Sequence, residues 1–393
     1  MTLREIFLRY NAQTSPFPML LEVEKAEGSF IIDSQGNKLL DMIAGIAVSN
    51  VGHRHPKVVS AIEEQVKKYL HVMVYGEFVQ EPQILLAKAL CETVNDKLDN
   101  VYLTNSGAEA IDGAMKIAKK FTGKHKFISC FNAYHGSLQG PLSLMGNDYF
   151  KKGYEPLLPD CERIRFGVEE DLELIDKQTC AVFIETIQGE AGVKLASKHY
   201  WNQLLQRCRE TETLLVLDEI QVGFGRTGYF WAFEAYDFVP DILVCSKGMG
   251  GGMPIGAVLT RKEIMQVISH DPILGHITTF GGHPVSCAAA LATLKIILEE
   301  NLCFNVKQRN QQFNKNLKHP LIKEIRHAGL LIAIELDNFS LVEKTIKNCL
   351  KFGLISDWFL FCNHSIRLAP PLNLSENEAD LAIEILIKAL DHL

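Results

Sequence analysis

Three segments of the chain are apolar from end to end yet too short for buried helices: CAVFIET (180–186), TLLVLDE (213–219) and DILVCS (241–246). A strand covered on one face alternates apolar and polar residues, whereas a strand covered on both does not. Such runs require a parallel sheet with helices on each side. The intervening sequence supplies them: SKHYWNQLLQRCRETE (197–212) has a helical pattern. Upstream, NVYLT (100–104) reads as a strand leading into the helix GAEAIDGAMKIAKKFTG, with Ile111, Ala114, Ala118 and Phe121 on one stripe and Gly123 as its stop. This alternation predicts an α/β fold: a large domain with a mostly parallel central sheet covered by helices.

After about residue 290 the pattern changes. LLIAIELD and SIRLAPPLNL read as strands among helices, and SENE (375–378) has the form of a capping box before a last amphipathic helix. Near the N-terminus, GSFIIDSQGNKLLDM reads as a hairpin turning at SQGN. The predicted organisation is an N-terminal segment 1–48 serving the smaller unit and partner contacts, a large domain 49–288, and a smaller α+β domain 289–393. The 393 residues suffice for this division.

Composition removes several classes of function. A net charge of −7 argues against general nucleic-acid affinity. No apolar run reaches the ~20 residues of a membrane helix, and MTLREIFLRY lacks the apolar core of a signal peptide. The ten cysteines form no CxxC pair, HExxH is absent, and the 13 histidines show no metal spacing, so no metal site is expected. A reducing, cytoplasmic setting fits. GFGRTG (223–228) has the spacing of a dinucleotide loop but does not join a strand directly to a helix.

In open parallel sheets, ligands bind beyond the carboxyl ends of the strands. Four predicted strands end there in polar residues: NVYLT in Asn105-Ser106-Gly107, AVFI in Glu185, LLVL in Asp218-Glu219, and ILVCS in Lys247. Ser106, Gly107 and Ala108 stand at a strand-to-helix junction, where free N–H groups and the helix dipole favour an anion. NAYHG (132–136) adds Tyr134, able to stack on a flat ligand, and the imidazole of His135. The glycines after Lys247, in KGMGGGMPIG, leave room for its side chain and for a ligand. A primary amine, an aspartate, a phosphate-binding helix start and a stacking ring are together what pyridoxal 5′-phosphate requires. Lys247 would form the Schiff base, and Asp218 would keep the pyridine nitrogen protonated.

The segments NSGAEA, YHG, IETIQGEAGV, LLVLDEIQVGFGRTG, SKGMGGGMPIGAV and TTFGGHPVSCAAA occur in this order. In this the chain resembles the class III (ω-amino acid) aminotransferases, and among them the acetylornithine and ornithine enzymes. The resemblance runs from GHRHP to IRLAPPL, nearly the whole chain. It implies the fold-type I architecture of pyridoxal-phosphate enzymes, with Lys247 as Schiff-base lysine and Asp218 on the pyridine nitrogen. It further implies Gln221 near the phenolic oxygen, Tyr134 on the ring, and Ser106, Gly107 and Ala108 on the phosphate. Thr279 would reach the phosphate of a neighbouring subunit, making shared active sites in a homodimer, and Thr278 would lie near substrate. Arg367 would bind a carboxylate of 2-oxoglutarate, and Glu190 would pair with it while an ω-amino donor is bound.

The chain departs from the family's pattern at four places. YHGS puts Ser137 where many acetylornithine enzymes have an arginine for the substrate α-carboxylate, a contact of about 1.5–3 kcal/mol. Tyr134 replaces phenylalanine, Thr186 stands where proline is common, and His283 where asparagine is common. The implied reaction is ping-pong transfer of an amino group from an acetylornithine- or ornithine-like donor to 2-oxoglutarate. The alternatives are 4-aminobutyrate, another ω-amino acid or a diamine as donor, and an aminomutase or racemase on the same fold.

Overall fold

Burial on both faces is what the structure gives the three apolar runs. Every residue of Thr179–Glu185, Leu214–Asp218 and Ile242–Cys245 is buried. The computed structural model describes residues 1–95 and 97–393. Its central sheet has seven strands, in the spatial order 100–104, 256–260, 242–245, 214–218, 179–185, 126–130, 161–164. Gly256–Thr260 is antiparallel to both neighbours, and the other six strands point one way. All six therefore bring their carboxyl ends to one edge.

The helices form where local chemistry starts and stops them. Ser106 caps Gly107–Thr122 by accepting the Glu109 N–H, and Gly123 ends it in the left-handed conformation with φ 69°. Ile111, Ala114 and Ala118 are buried as the stripe predicted. Phe121 is not: it is 41% exposed and lines an open cleft with Leu205 and Val239. Lys198–Thr211 is capped by Ser197. Pro284–Glu299, which runs through the expected boundary at 288/289, buries Cys287, Ala290, Leu294 and Ile297 and exposes Lys295. It packs on Pro56–Lys68 and Glu81–Glu92. No helix among the described residues is long and apolar enough to cross a membrane.

Two smaller sheets flank this body. Phe30–Asp33 and Lys38–Asp41 pair as the expected hairpin, its turn held by the Asp33 carboxylate accepting the N–H groups of Gln35 and Asn37. That sheet takes its fourth strand, Leu354–Ile355, from the other end of the chain, parallel to Lys38–Asp41. The second sheet orders its strands 324–328, 331–335, 362–368, 357–359. Ser375 and Glu378 form the predicted capping box of Glu376–Asp391.

GFGRTG turns out to be a structural tie. Arg226 is fully buried, and burial pushes its pKa down to about 9. Its guanidinium donates to the carbonyls of Leu330 (3.0 Å) and Pro370 (2.5 Å) and to Asn50 Oδ1 (2.7 Å). One side chain thus joins three distant segments. Arg226→Ala leaves three buried acceptors without a donor, at about 1–3 kcal/mol each. A thermal-unfolding midpoint lower by roughly 10 °C is expected, and a drop below about 2 °C would show that the tie carries little.

Candidate active site

The common edge of the six aligned strands opens into a cavity of about 430 Å³. Ser106, Gly107, Ala108, Tyr134, His135, Ser137, Glu185, Glu190, Asp218, Gln221 and Lys247 all line it. Residues up to 141 positions apart, from Ser106 to Lys247, meet because each follows the end of a parallel strand or its loop.

Asp218 is the most firmly held. Its Oδ1 accepts the Ile220 N–H at 2.9 Å, and its Oδ2 lies 2.7 Å from His135 Nδ1. Both side chains are buried. The pairing of His135 with Asp218 has no signature in the sequence beyond both being at strand ends. Glu185 stands beside them on the adjacent strand, level with Asp218. Burial, and next the negative charges of Asp218 and Glu190, hold its carboxyl well above the usual range. Such a setting favours the protonated form of the carboxyl. Its Oε2, like His135 Nε2, has no partner among the described residues.

Lys247 follows the last residues of its strand with φ 44°, a strained conformation for a residue with a side chain. Burial lowers its pKa against the opposing pull of Glu190 and Asp218, so the neutral amine is more accessible than in water. The glycines behind it answer a packing need. A Cβ on Gly248 would lie 2.3 Å from Asn50 Nδ2, and one on Gly250 would lie 2.0 Å from the Met253 carbonyl. The chain's own packing therefore requires glycine at these two positions.

At the helix start, the N–H groups of Gly107 and Ala108 have no acceptor within the helix, and they face the cavity's end. Across from them, Glu190 Oε1 accepts from Arg367 Nη1 at 2.5 Å and from Gln221 Nε2 at 3.2 Å. Gly189 lets Gln221 pass: a Cβ there would meet Gln221 Oε1 at 1.8 Å. Arg367 is nine-tenths or more buried and also forks onto Asp357, through Nε (2.8 Å) and Nη2 (2.7 Å). Burial opposes its charge, yet Asp357 and Glu190 together hold its pKa above the ordinary value. Asp357 escaped the sequence reading. Its signal was there: ten residues before Arg367 across a tight hairpin, it is the directly opposed residue in the ladder.

Thr278 and Thr279 lie outside this cavity, along a neighbouring groove with Asn105 and Glu109. Thr278 accepts the Gly281 N–H, and the Thr279 carbonyl lies 2.9 Å from His71 Nε2. His283 stacks on His71 at 5.7 Å. Ser137 is exposed and lies 3.2 Å from the Tyr134 hydroxyl. Thr186, in contrast, is fully buried and donates to Glu219 Oε1 at 2.5 Å, a bond no proline could make. Glu219 also accepts the N–H groups of Ala232 and Phe233.

The family profile "Aminotransferase class-III" matches residues 10–390. The chain belongs to the class III aminotransferases. The acetylornithine aminotransferase of Methanopyrus kandleri is 36% identical over 394 residues, covering 99% of each chain. The ornithine aminotransferase of Toxoplasma gondii superposes with a TM-score of 0.92 at 30% identity, covering 100% of this chain and 96% of that one. A second structure of the Toxoplasma enzyme (TM-score 0.90, 30% identity, 98% and 93% covered) has pyridoxal phosphate partly occupying its active site. This class III aminotransferase is accordingly a pyridoxal-phosphate enzyme of fold type I. The cavity's residues fit that cofactor: a buried carboxyl and an imidazole each have an unpartnered atom there, and a helix start offers unused N–H groups.

Glu219 gives this site a pH signature. Burial raises its carboxyl from 4.5 to about 7. Between those values the folded protein keeps the proton while the unfolded chain loses it, so stability falls as pH rises. Across the window this amounts to on the order of 3 kcal/mol. In Glu219→Gln the amide replaces the protonated acid, and the unfolding midpoint should decline less steeply than wild type from pH 4.5 to 7. Parallel curves for the two proteins would contradict the assignment.

Proposed function

We propose that this aminotransferase moves an amino group from an ω-amino donor of the acetylornithine or ornithine kind to 2-oxoglutarate. It does so in two half-reactions, the donor's product leaving before the acceptor enters. The observation that carries this reading is the Arg367–Glu190 pair beside the cavity that holds Lys247.

When bound, the cofactor supplies an aldehyde that takes up the amino group and a ring that withdraws electrons from the carbon being deprotonated. Asp218, fixed by His135 and the Ile220 N–H, holds the proton on the pyridine nitrogen. Ser106, Gly107 and Ala108 would hold the phosphate, Tyr134 would cover one face of the ring, and Gln221 would serve the phenolic oxygen. Lys247 Nζ, with its lowered basicity, would accept the proton released from the donor's amine-bearing carbon and hold it for return. Glu190 neutralises Arg367 while the donor is bound. When it turns away, the Nη1 end of the guanidinium, the part not held by Asp357, is free for a carboxylate of the acceptor.

A homodimer belongs to this reading, with Thr279 reaching the partner's phosphate and Thr278 near substrate. The exposure of the apolar residues Val72, Phe78, Val79, Ile273 and Phe280 supports it, since a second copy would cover such side chains. The division into segments 1–48, 49–288 and 289–393, and a cytoplasmic location, are proposed alongside it. A second reading takes 4-aminobutyrate, another ω-amino acid or a diamine as donor. It is favoured by Ser137, because among the described residues lining the cavity Lys247 is the only lysine or arginine.

Borohydride reduction of the loaded enzyme followed by peptide mapping should place the cofactor on Lys247, and Lys247→Ala should abolish turnover; a label on another lysine would sink the assignment. Single half-reactions with acetylornithine, ornithine, 4-aminobutyrate and putrescine, followed by visible absorbance, decide the donor. Ser137→Arg should speed the acetylornithine half-reaction by roughly tenfold, the worth of one charge-assisted contact. Unchanged or slower conversion would refute the role given to the missing cation.

A further inference from the structure

Arg367 carries two carboxylates, and they meet it differently. Asp357 occupies the Nε–Nη2 edge with both oxygens, at 2.8 and 2.7 Å, from the directly opposed position on the adjacent strand. Glu190 touches only Nη1, through one oxygen. That oxygen already has a second donor in Gln221, and the other oxygen accepts the Leu360 N–H at 3.0 Å. Glu190 is therefore a group with other partners waiting, while Asp357 has both oxygens committed to Arg367. The Phe359 ring, 5.4 Å from the guanidinium carbon, backs the same arrangement.

We propose that Asp357 is a positioning residue that sets the choice between donor and acceptor. It pins the guanidinium so that Glu190 can meet only one end of the fork and is readily displaced by a carboxylate of a 2-oxo dicarboxylic acid. The inference rests on the reading that Arg367 receives that carboxylate. Asp357 also keeps the charge count constant. Before and after exchange, Arg367 faces Asp357 and one further carboxylate, so a buried guanidinium never stands uncompensated. Without Asp357, both carboxylates are attracted more strongly to Arg367, and that gain cancels between them. What does not cancel is orientation. An unpinned Arg367 can turn its Nε–Nη2 edge to Glu190 and take both of its oxygens, and the incoming dicarboxylate must then break a bidentate pair.

The test uses the cofactor-loaded enzyme and glutarate, a dicarboxylate with no keto group, so that binding is read by calorimetry without turnover. Asp357→Asn should weaken glutarate binding about tenfold and raise the apparent KM for 2-oxoglutarate to match. The donor half-reaction should stay within twofold. In a Glu190→Gln background, the same Asp357→Asn change should weaken glutarate by less than threefold, or strengthen it, because the competing carboxylate is gone. Asp357→Ser should repeat the pattern and guards against a misfolded variant. An equal loss in both backgrounds, no loss in either, or equal damage to both half-reactions would overturn the proposal. Arg367→Ala separates the two levels. If it leaves glutarate affinity unchanged, the acceptor role of Arg367 is what fails.

Discussion

The site depends on holding charges of both signs in a space largely withdrawn from water. Three carboxyl groups, Glu185, Glu190 and Asp218, line one cavity with Lys247. Each is managed separately. Asp218 is fixed by an imidazole and a backbone N–H, Glu190 leans on Arg367, and burial favours the protonated form of Glu185. The lysine, in turn, loses basicity through burial. Its basicity falls because burial outweighs the pull of the neighbouring carboxylates. The parallel sheet makes the balance possible, because it delivers one side chain per strand to a fixed place on a rigid edge.

Much of this was legible in the sequence because the signals were local. Unbroken apolar runs announced doubly covered strands, and the residue after each run named its contribution to the edge. Ser106, Gly123, Ser375 and the SQGN turn were readable for the same reason, since caps and turns are chosen by a few adjacent residues. What escaped was lateral. The bond from His135 to Asp218 spans 83 positions, and the bond from Arg226 to Pro370 spans 144. Nothing in spacing encodes such meetings. Asp357 is an intermediate case: the hairpin linking it to Arg367 is short, but the reading stopped at the arginine. The glycine-rich loop was read for its place, but its packing against Asn50 and Met253 was not in the sequence pattern.

The departures from the family's usual residues divide by burial. Thr186 is enclosed and has acquired a structural bond to Glu219, so its effect is on the scaffold beneath the cavity. Ser137 is exposed at the cavity's rim, beside a tyrosine hydroxyl instead of a cation. A buried exchange of this kind is repaired by its neighbours. A rim exchange is left for the ligand to answer, which is why the cofactor site reads plainly while the donor is a matter of one or two rim residues.

The parallel pairing of Leu354–Ile355 with Lys38–Asp41 has a consequence for how the molecule is made. The hairpin strands near residues 23–41 cannot complete their sheet until a strand more than 300 residues later in the chain is available. The central sheet, whose strands lie between 100 and 260, can close long before that. The hairpin's sheet is therefore closed by the longest-range pairing among the described strands, while the central sheet is built from residues 100–260 alone.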